Sequence, residues 1–255
     1  MSSALLGYTG FVGSNLLNQL KQKSNDELYL YNSKNLNAIQ NKEFDDIYCC
    51  CVPGVKYIAN KEPYKDLSNI CNILDILKTV KAKRFFLVSS QDCNANLWCS
   101  SDIDSAPITE YGKNRKYFEE NIKNIFENSY ILRIGCLFGN NLKKNIIYDL
   151  LNNHYLSNLK YDYTMQLYCL DDLLNHLLFM KDNNIHLMNR FSPPIYISEI
   201  ISVFNECGFN YKFNLELNPK IDYRNSCFLE DTDYSMSKEY ELSKLKEFVR
   251  KHIMY

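Results

Sequence analysis

Ala4-Leu5-Leu6-Gly7-Tyr8-Thr9-Gly10-Phe11-Val12-Gly13 is the stretch that decides how this chain is read. The three apolar residues read as a short strand that Gly7 stops. From Phe11 to residue 23, Val12, Leu16, Leu17 and Leu20 recur at helical spacing. Strand, glycine turn and helix are the opening of a βαβ unit. Three of only eight glycines in 255 residues fall at these offsets, which makes coincidence a poor explanation.

The alternation continues outward from that turn. Residues 27–31 and 46–52 read as strands, the second a near-continuous apolar run of the kind a parallel strand covered on both faces needs. Helical periodicity runs over 64–80 through Leu67, Ile70, Ile73, Leu74 and Leu77. Residues 84–89 hold the buried run Phe85-Phe86-Leu87-Val88; 112–128 read as a helix and 130–134 as the strand after it. This pattern predicts an α/β, doubly wound parallel sheet. The second half is less regular, with helices at 146–152, 170–181, 197–207 and 237–253. It is expected to form a smaller lobe, with no repeat or low-complexity linker to mark a boundary.

Composition narrows the function classes. The chain carries 29 basic and 30 acidic residues, so it lacks the basic surface that nucleic-acid binding requires. No apolar run approaches the ~18 residues of a membrane span. Nor does the N-terminus carry the basic and apolar regions of a secretory signal, so a cytoplasmic location and no membrane partner are expected. The ten cysteines show no CxxC spacing and the four histidines no HExxH, so no metal site is expected. Cys49, Cys50 and Cys51 are read as reduced thiols of a buried strand.

The glycine turn itself carries chemistry. Gly7 permits the turn, Gly10 lets backbone approach a pyrophosphate, and Gly13 lets the helix pack close to the strand; the helix N-terminus then offers N–H groups to phosphates. The cofactor-binding candidates are Gly7, Thr9, Gly10, Phe11, Val12 and Gly13, with Cys51, Val52 and Pro53 after the third strand. A carboxylate at the end of the second strand would hold a ribose 2′-hydroxyl; Asn32, Ser33 and Lys34 stand there instead. Lys34 and Ser33 can meet a 2′-phosphate, which favours NADP over NAD, although Lys34 reads equally well as an ordinary loop lysine.

Further motifs follow in order: Val88-Ser89-Ser90-Gln91-Asp92 ending a strand, Tyr111-Gly112-Lys113-Asn114-Arg115 opening a helix, Leu132-Arg133-Ile134-Gly135 with Phe138-Gly139, and Tyr168-Cys169-Leu170-Asp171-Asp172. With the glycine loop they resemble the extended short-chain dehydrogenase/reductase family, the NAD(P)-dependent nucleotide-sugar epimerases, dehydratases and 4-keto reductases. The resemblance covers nearly the whole chain. It implies a Rossmann-type domain over residues 1–140, with 165–185 packing back on it, and a small α/β substrate lobe over 141–255. It also implies a nucleotide-sugar substrate and a homodimer.

The chemistry follows from the residues. Oxidising an alcohol needs a base for its proton, and reducing a ketone needs the same group as an acid. A free tyrosine titrates near ~10, and a neighbouring cation lowers it towards neutrality. Position i+4 of a helix shares a face with i, which makes Arg115 the neighbour of Tyr111. Tyr111, Arg115 and Ser90 are the catalytic candidates, and Tyr111 and Arg115 also face the cofactor. The family pattern has lysine at 115; arginine keeps the charge but is larger and forked. A one-residue shift would put Gln91 in place of Ser90.

Asp92, Asn145 and Arg224 are the substrate-facing candidates, and Arg133 and Arg190 are further options for a pyrophosphate. Asp92 reads also as a local Asx turn, and Asp171-Asp172 as helix caps. A dehydratase would resemble the family's members that carry an Asp-Glu pair just after this position; Gln91-Asp92 follows Ser90 instead, so the resemblance disfavours a dehydratase and leaves 4-keto reduction or epimerisation. The alternative is a catalytically weak or inactive dinucleotide-binding sensor or scaffold.

Overall fold

The computed structural model describes residues 1–23, 27–93, 109–222 and 236–253. From the N-terminus come β1 (Ser2–Leu6), α1 (Phe11–Lys23), β2 (Glu27–Tyr31), β3 (Glu43–Cys49), α2 (Lys56–Lys61), α3 (Pro63–Leu77), β4 (Lys81–Ser90), α4 (Glu110–Ile125) and β5 (Ser129–Ile134). They are followed by β6 (Cys136–Phe138), α5 (Ile146–Asn152), β7 (Tyr161–Met165), β8 (Leu167–Cys169), α6 (Leu173–Asp182) and β9 (Leu187–Arg190). The chain ends through β10 (Ile195–Tyr196), α7 (Ile197–Glu206), β11 (Glu216–Asp222) and α8 (Lys238–Ile253). The described residues divide into two compact units. One runs from Met1 to Ile134 and takes up Asp171–Asn189; the other holds Gly135–Leu170 and the chain from Arg190 on.

The first unit is built on a six-stranded sheet in the order β2-β1-β3-β4-β5-β9. β1 pairs in parallel with β2 and with β3, β3 with β4, and β4 with β5. The chain steps from β1 to β2 on one side and then crosses to β3 on the other. The order therefore reverses at β1, where open α/β sheets place their ligands. The crossover over residues 32–42 carries only a short 3₁₀ turn, Leu36–Ile39, and fully buried Ile39 plugs the core there. All six residues of β5 are buried, as a strand covered on both faces requires.

Helices seat on this sheet through single apolar stripes. α3 begins at Pro63, whose missing N–H costs nothing in a first turn, and buries Ile70, Ile73, Leu74 and Leu77 at helical spacing. Each such side chain contributes roughly 1.5–3 kcal/mol. The strand expected at 46–52 is β3 and stops sooner. β1 ends at Leu6, the partner of Cys49, so Cys50 and Cys51 lie in the loop beyond the strand.

In the second unit β6 pairs in parallel with β8, while β7 lies between β10 and β11. None of these strands was expected from the sequence; β6, β8 and β10 have only two or three residues, too few to carry a pattern. Their core is formed with α7 and α8, through Ile197, Ile200, Phe204, Leu245 and Val249. Asp172 stands at the N-cap of α6 as expected, yet its side chain makes no capping hydrogen bond. Among the described residues no helix is long and apolar enough to cross a membrane.

Candidate active site

The glycine turn lies at the C-terminal end of β1. Gly7 adopts φ +84°, and a Cβ there would stand 2.5 Å from the Cys50 carbonyl oxygen. Its N–H donates to Tyr31 O at 2.7 Å, which ties the turn to β2. Gly13 is held as tightly: a Cβ would fall 2.1 Å from Gly7 O. Gly10 differs. It is exposed, and a Cβ on it would meet only Gly7 O, at 3.3 Å. Two glycines are therefore demanded by packing, and the third leaves the backbone bare where α1 begins. Thr9 beside it is exposed, and Phe11, Val12 and Gly13 form the first turn, whose N–H groups lack helical acceptors. Such a cradle fits a pyrophosphate. Gly13→Ala is expected to push α1 off β1 and cost about 1–3 kcal/mol, read as a lowered midpoint in urea.

At the end of β2, Asn32 is committed locally. Its amide nitrogen donates to Tyr8 Oη at 3.2 Å and its Oδ1 accepts from Lys34 N at 2.9 Å. Ser33 and Lys34 are exposed. Beyond β3, Cys51 and Val52 pack on the core and Pro53 is exposed.

The catalytic candidates converge. Thr109 caps α4 by accepting from Gly112 N at 3.0 Å, so the helix starts two residues before the sequence pattern indicated. That puts Tyr111 in the first turn, where its N–H donates to Asn60 Oδ1 of α2 at 2.9 Å. Ser90, the last residue of β4, and the Arg115 guanidinium both act on the Tyr111 phenol in favour of its ionised form. Asp92 Oδ2 accepts from Ser90 Oγ at 3.2 Å, and its Oδ1 is ion-paired with Lys56. Ser89, on the other side of the strand alternation, donates to Glu119 Oε1 at 2.5 Å.

Arg115 departs from the expected arrangement. Its Cζ lies 4.4 Å from the centroid of the Tyr111 ring. Its Nη1 and Nη2 donate to Asp66 of α3 at 3.0 and 2.9 Å, and Nη2 also donates to Pro53 O at 2.7 Å. The cation is thus already paired. Tyr111 is titrated upward, above the ordinary phenol range, rather than down towards neutrality. Burial is the main cause; Asp92 adds to it, and Arg115 and Ser90 oppose it without prevailing.

One helical turn beyond Arg115, Glu119 makes a fully buried pair with Arg133 of β5: Nε stands 3.0 Å from Oε1 and Nη2 2.5 Å from Oε2. Arg133 is therefore spent on structure and is withdrawn as a pyrophosphate ligand. Asn145 stands at the N-cap of α5 in the second unit. Its Oδ1 accepts from Ile147 N and Tyr148 N, and its Nδ2 donates to Leu137 O at 2.8 Å. Arg224 lies outside the described residues, as do Cys99 and Cys227. The eight described cysteines are free thiols, with Cys49 and Cys51 sulfurs 3.5 Å apart. Among the described residues no group of His, Cys, Asp or Glu could hold a metal ion.

Sequence reasoning missed Asp66, Lys56 and Asn60. The one signal for Asp66 was indirect: an arginine buried where a lysine is usual calls for a carboxylate to fill its fork.

No protein-family model and no curated protein matches the chain. Solved structures do match along its length. A dTDP-4-dehydrorhamnose reductase from Clostridium acetobutylicum superposes with a TM-score of 0.76 at 17% identity, covering 100% of both chains. A UDP-glucose 4-epimerase from Thermotoga maritima, solved with UDP-glucose, gives 0.73 at 14%, covering 99% of this chain and 100% of that one. A UDP-glucuronic acid 4-epimerase from Bacillus cereus, a tyrosine-to-phenylalanine variant solved with a fluorinated UDP-sugar and NAD, gives 0.73 at 17%, covering 100% of both. The chain has the α/β, Rossmann-type fold of these enzymes.

Proposed function

We propose that this protein is an NAD(P)-dependent oxidoreductase of nucleotide-linked sugars, acting by 4-keto reduction or epimerisation. The observation that carries the reading is the convergence of Ser90 and Arg115 on the buried Tyr111, in the same unit as the glycine cradle. The fold shared with a reductase and with epimerases, one of them holding NAD beside a UDP-sugar, supports it.

Gly7, Thr9, Gly10, Phe11, Val12 and Gly13 would hold the pyrophosphate of the dinucleotide. Cys51, Val52 and Pro53 would flank it, and Asn32, Ser33 and Lys34 would meet the adenosine ribose. A dinucleotide so held would supply or accept a hydride through its nicotinamide. Tyr111 moves the proton. In reduction the carbonyl carbon takes the hydride and the carbonyl oxygen takes the Tyr111 proton, so that C=O becomes CH–OH; solvent then reprotonates the phenolate. In oxidation the same steps run backwards. Ser90 Oγ–H would turn from Asp92 Oδ2 to hydrogen-bond and orient the reacting oxygen, while the Asp92 backbone N–H goes on donating to Ser90 Oγ. Asp92, Asn145 and Arg224 are the residues assigned to the sugar nucleotide, Asn145 through whatever its capping bonds leave.

The test is to supply keto and hydroxyl nucleotide-sugars with NADPH or NADH and follow nicotinamide absorbance and sugar products. Net NADPH consumption identifies a reductase, and interconversion of epimers without net consumption an epimerase. Absence of binding of either dinucleotide overturns the reading. Lys34 and Ser33, with no carboxylate beside them, favour NADP. Lys34→Ala is expected to weaken NADPH binding about tenfold, the worth of one charge-assisted hydrogen bond, and to leave NADH unchanged by calorimetry. The homodimer implied by the resemblance is read by sedimentation velocity.

A further inference from the structure

Arg115 is assigned the task of lending its charge to Tyr111, yet the geometry commits that charge elsewhere. Asp66 takes both guanidinium nitrogens in a bidentate pair, and its Oδ2 also accepts from Asn114 Nδ2 at 2.9 Å. The pair is buried, with side chains 5% and 8% exposed. Asp66 lies in the first turn of α3, where the helix end favours an anion. Pro53 O takes a further N–H of Arg115 Nη2. A lysine ammonium lacks the planar pair of N–H groups that meets both oxygens of a carboxylate at once, so arginine at 115 is matched to Asp66.

We propose that Asp66 is a positioning residue: it clamps Arg115 across the face of the Tyr111 ring and offsets most of its charge, leaving Tyr111 as a proton donor and the site directed towards reduction of a keto group. The directional part rests on the oxidoreductase reading above; the clamp does not.

The groups around Tyr111 agree with this. Arg115 faces it from its own helix, Ser90 from β4 and Asp92 from the turn after β4. Asp66 of α3 acts through Arg115, and Lys56 of α2 is paired with Asp92. The two cations are thus each matched by a carboxylate, and Arg115 still favours the phenolate without prevailing over burial.

The test reads phenol ionisation directly and needs neither substrate nor cofactor. Phenolate absorbance is followed against pH, and subtraction of the same titration in a Tyr111→Phe background isolates Tyr111 from the other tyrosines. Asp66→Asn keeps the shape and removes the charge; the Tyr111 midpoint is expected to fall by about one to three pH units, the range over which a close opposite charge acts. Asp66→Glu, which keeps the carboxylate, should return it most of the way. Asp66→Asn combined with Arg115→Met removes both charges and should lie within about half a unit of wild type. An unmoved or raised midpoint in Asp66→Asn overturns the clamp. Should that variant fail to fold, the double variant decides: a midpoint a unit or more above wild type means that Arg115 was never neutralised.

Activity is a separate arm. The pH limit for ketone reduction should move down with the Tyr111 midpoint in Asp66→Asn. A wild-type protein that reduces no keto nucleotide-sugar overturns the functional reading and the directional part of the proposal, and leaves the clamp to the titration.

Discussion

Tyr111→Phe is expected to lower turnover by about 10²–10⁴-fold, the usual contribution of a positioned proton donor, while the dinucleotide Kd stays within about twofold. The substitution removes one hydroxyl. The ring remains, stacked 4.4 Å from the Arg115 guanidinium, and Asp66 continues to hold that guanidinium in place. The backbone of residue 111 keeps its bond to Asn60. Loss of rate without loss of cofactor affinity is therefore a statement about the proton alone. Equal turnover in the two proteins would sink the enzyme reading and favour a dinucleotide-binding scaffold.

The same residue sets a pH signature. Tyr111 in the folded protein holds its proton more tightly than a free phenol, chiefly through burial. Ketone reduction needs that proton, so its rate should be level through neutrality and fall only at alkaline pH, beyond the ordinary phenol range of ~10. Alcohol oxidation needs the phenolate and should rise over the same interval. Stability follows the sign of the shift. A proton bound more tightly in the folded state stabilises it below the unfolded value, and that contribution is lost as pH rises through the folded one. Tyr111→Phe should flatten the alkaline limb of an unfolding titration.

The second large effect concerns folding. Glu119→Ala is expected to destabilise the protein by about 3–5 kcal/mol, because it leaves the Arg133 guanidinium buried without its carboxylate. Both side chains of the pair are 1% exposed, so water cannot take the place of the lost partner. Ser89 also loses its acceptor, at the strand end next to Ser90. Replacing the whole pair, with Glu119→Leu and Arg133→Met, should recover most of the loss, since two apolar side chains leave no charge behind. Urea unfolding checks both: the midpoint should fall in the single variant and return in the double, with the slope unchanged. A single variant within about 1 kcal/mol of wild type would show that the pair contributes little.

The two halves of the site were unequally readable. The glycine cradle could be recognised because its demands are local: Gly7 needs a positive φ, and Gly13 touches a carbonyl six residues away. The pairing of Tyr111 with Arg115 was also local, one helical turn. The Glu119–Arg133 pair was not, and Arg133 on its own looked like a free anion ligand. Asp66 stands 49 residues before Arg115, and nothing in its neighbourhood marks it as more than a helix-start carboxylate. The sequence pattern expects Arg115 to lower Tyr111, and it does act in that direction, but the burial that only folding supplies outweighs it and Tyr111 is raised.

Periodicity and glycine placement, which act within a few residues, determined the alternating α/β order, the parallel sheet and the glycine turn. Tertiary structure alone decided which charges meet. The strand order 2-1-3-4-5-9 brings α3 and α4 together and sets Asp66 against Arg115 and Glu119 against Arg133. A buried charge takes its character from the partner that folding supplies, and the identity of that partner is not written beside it in the chain.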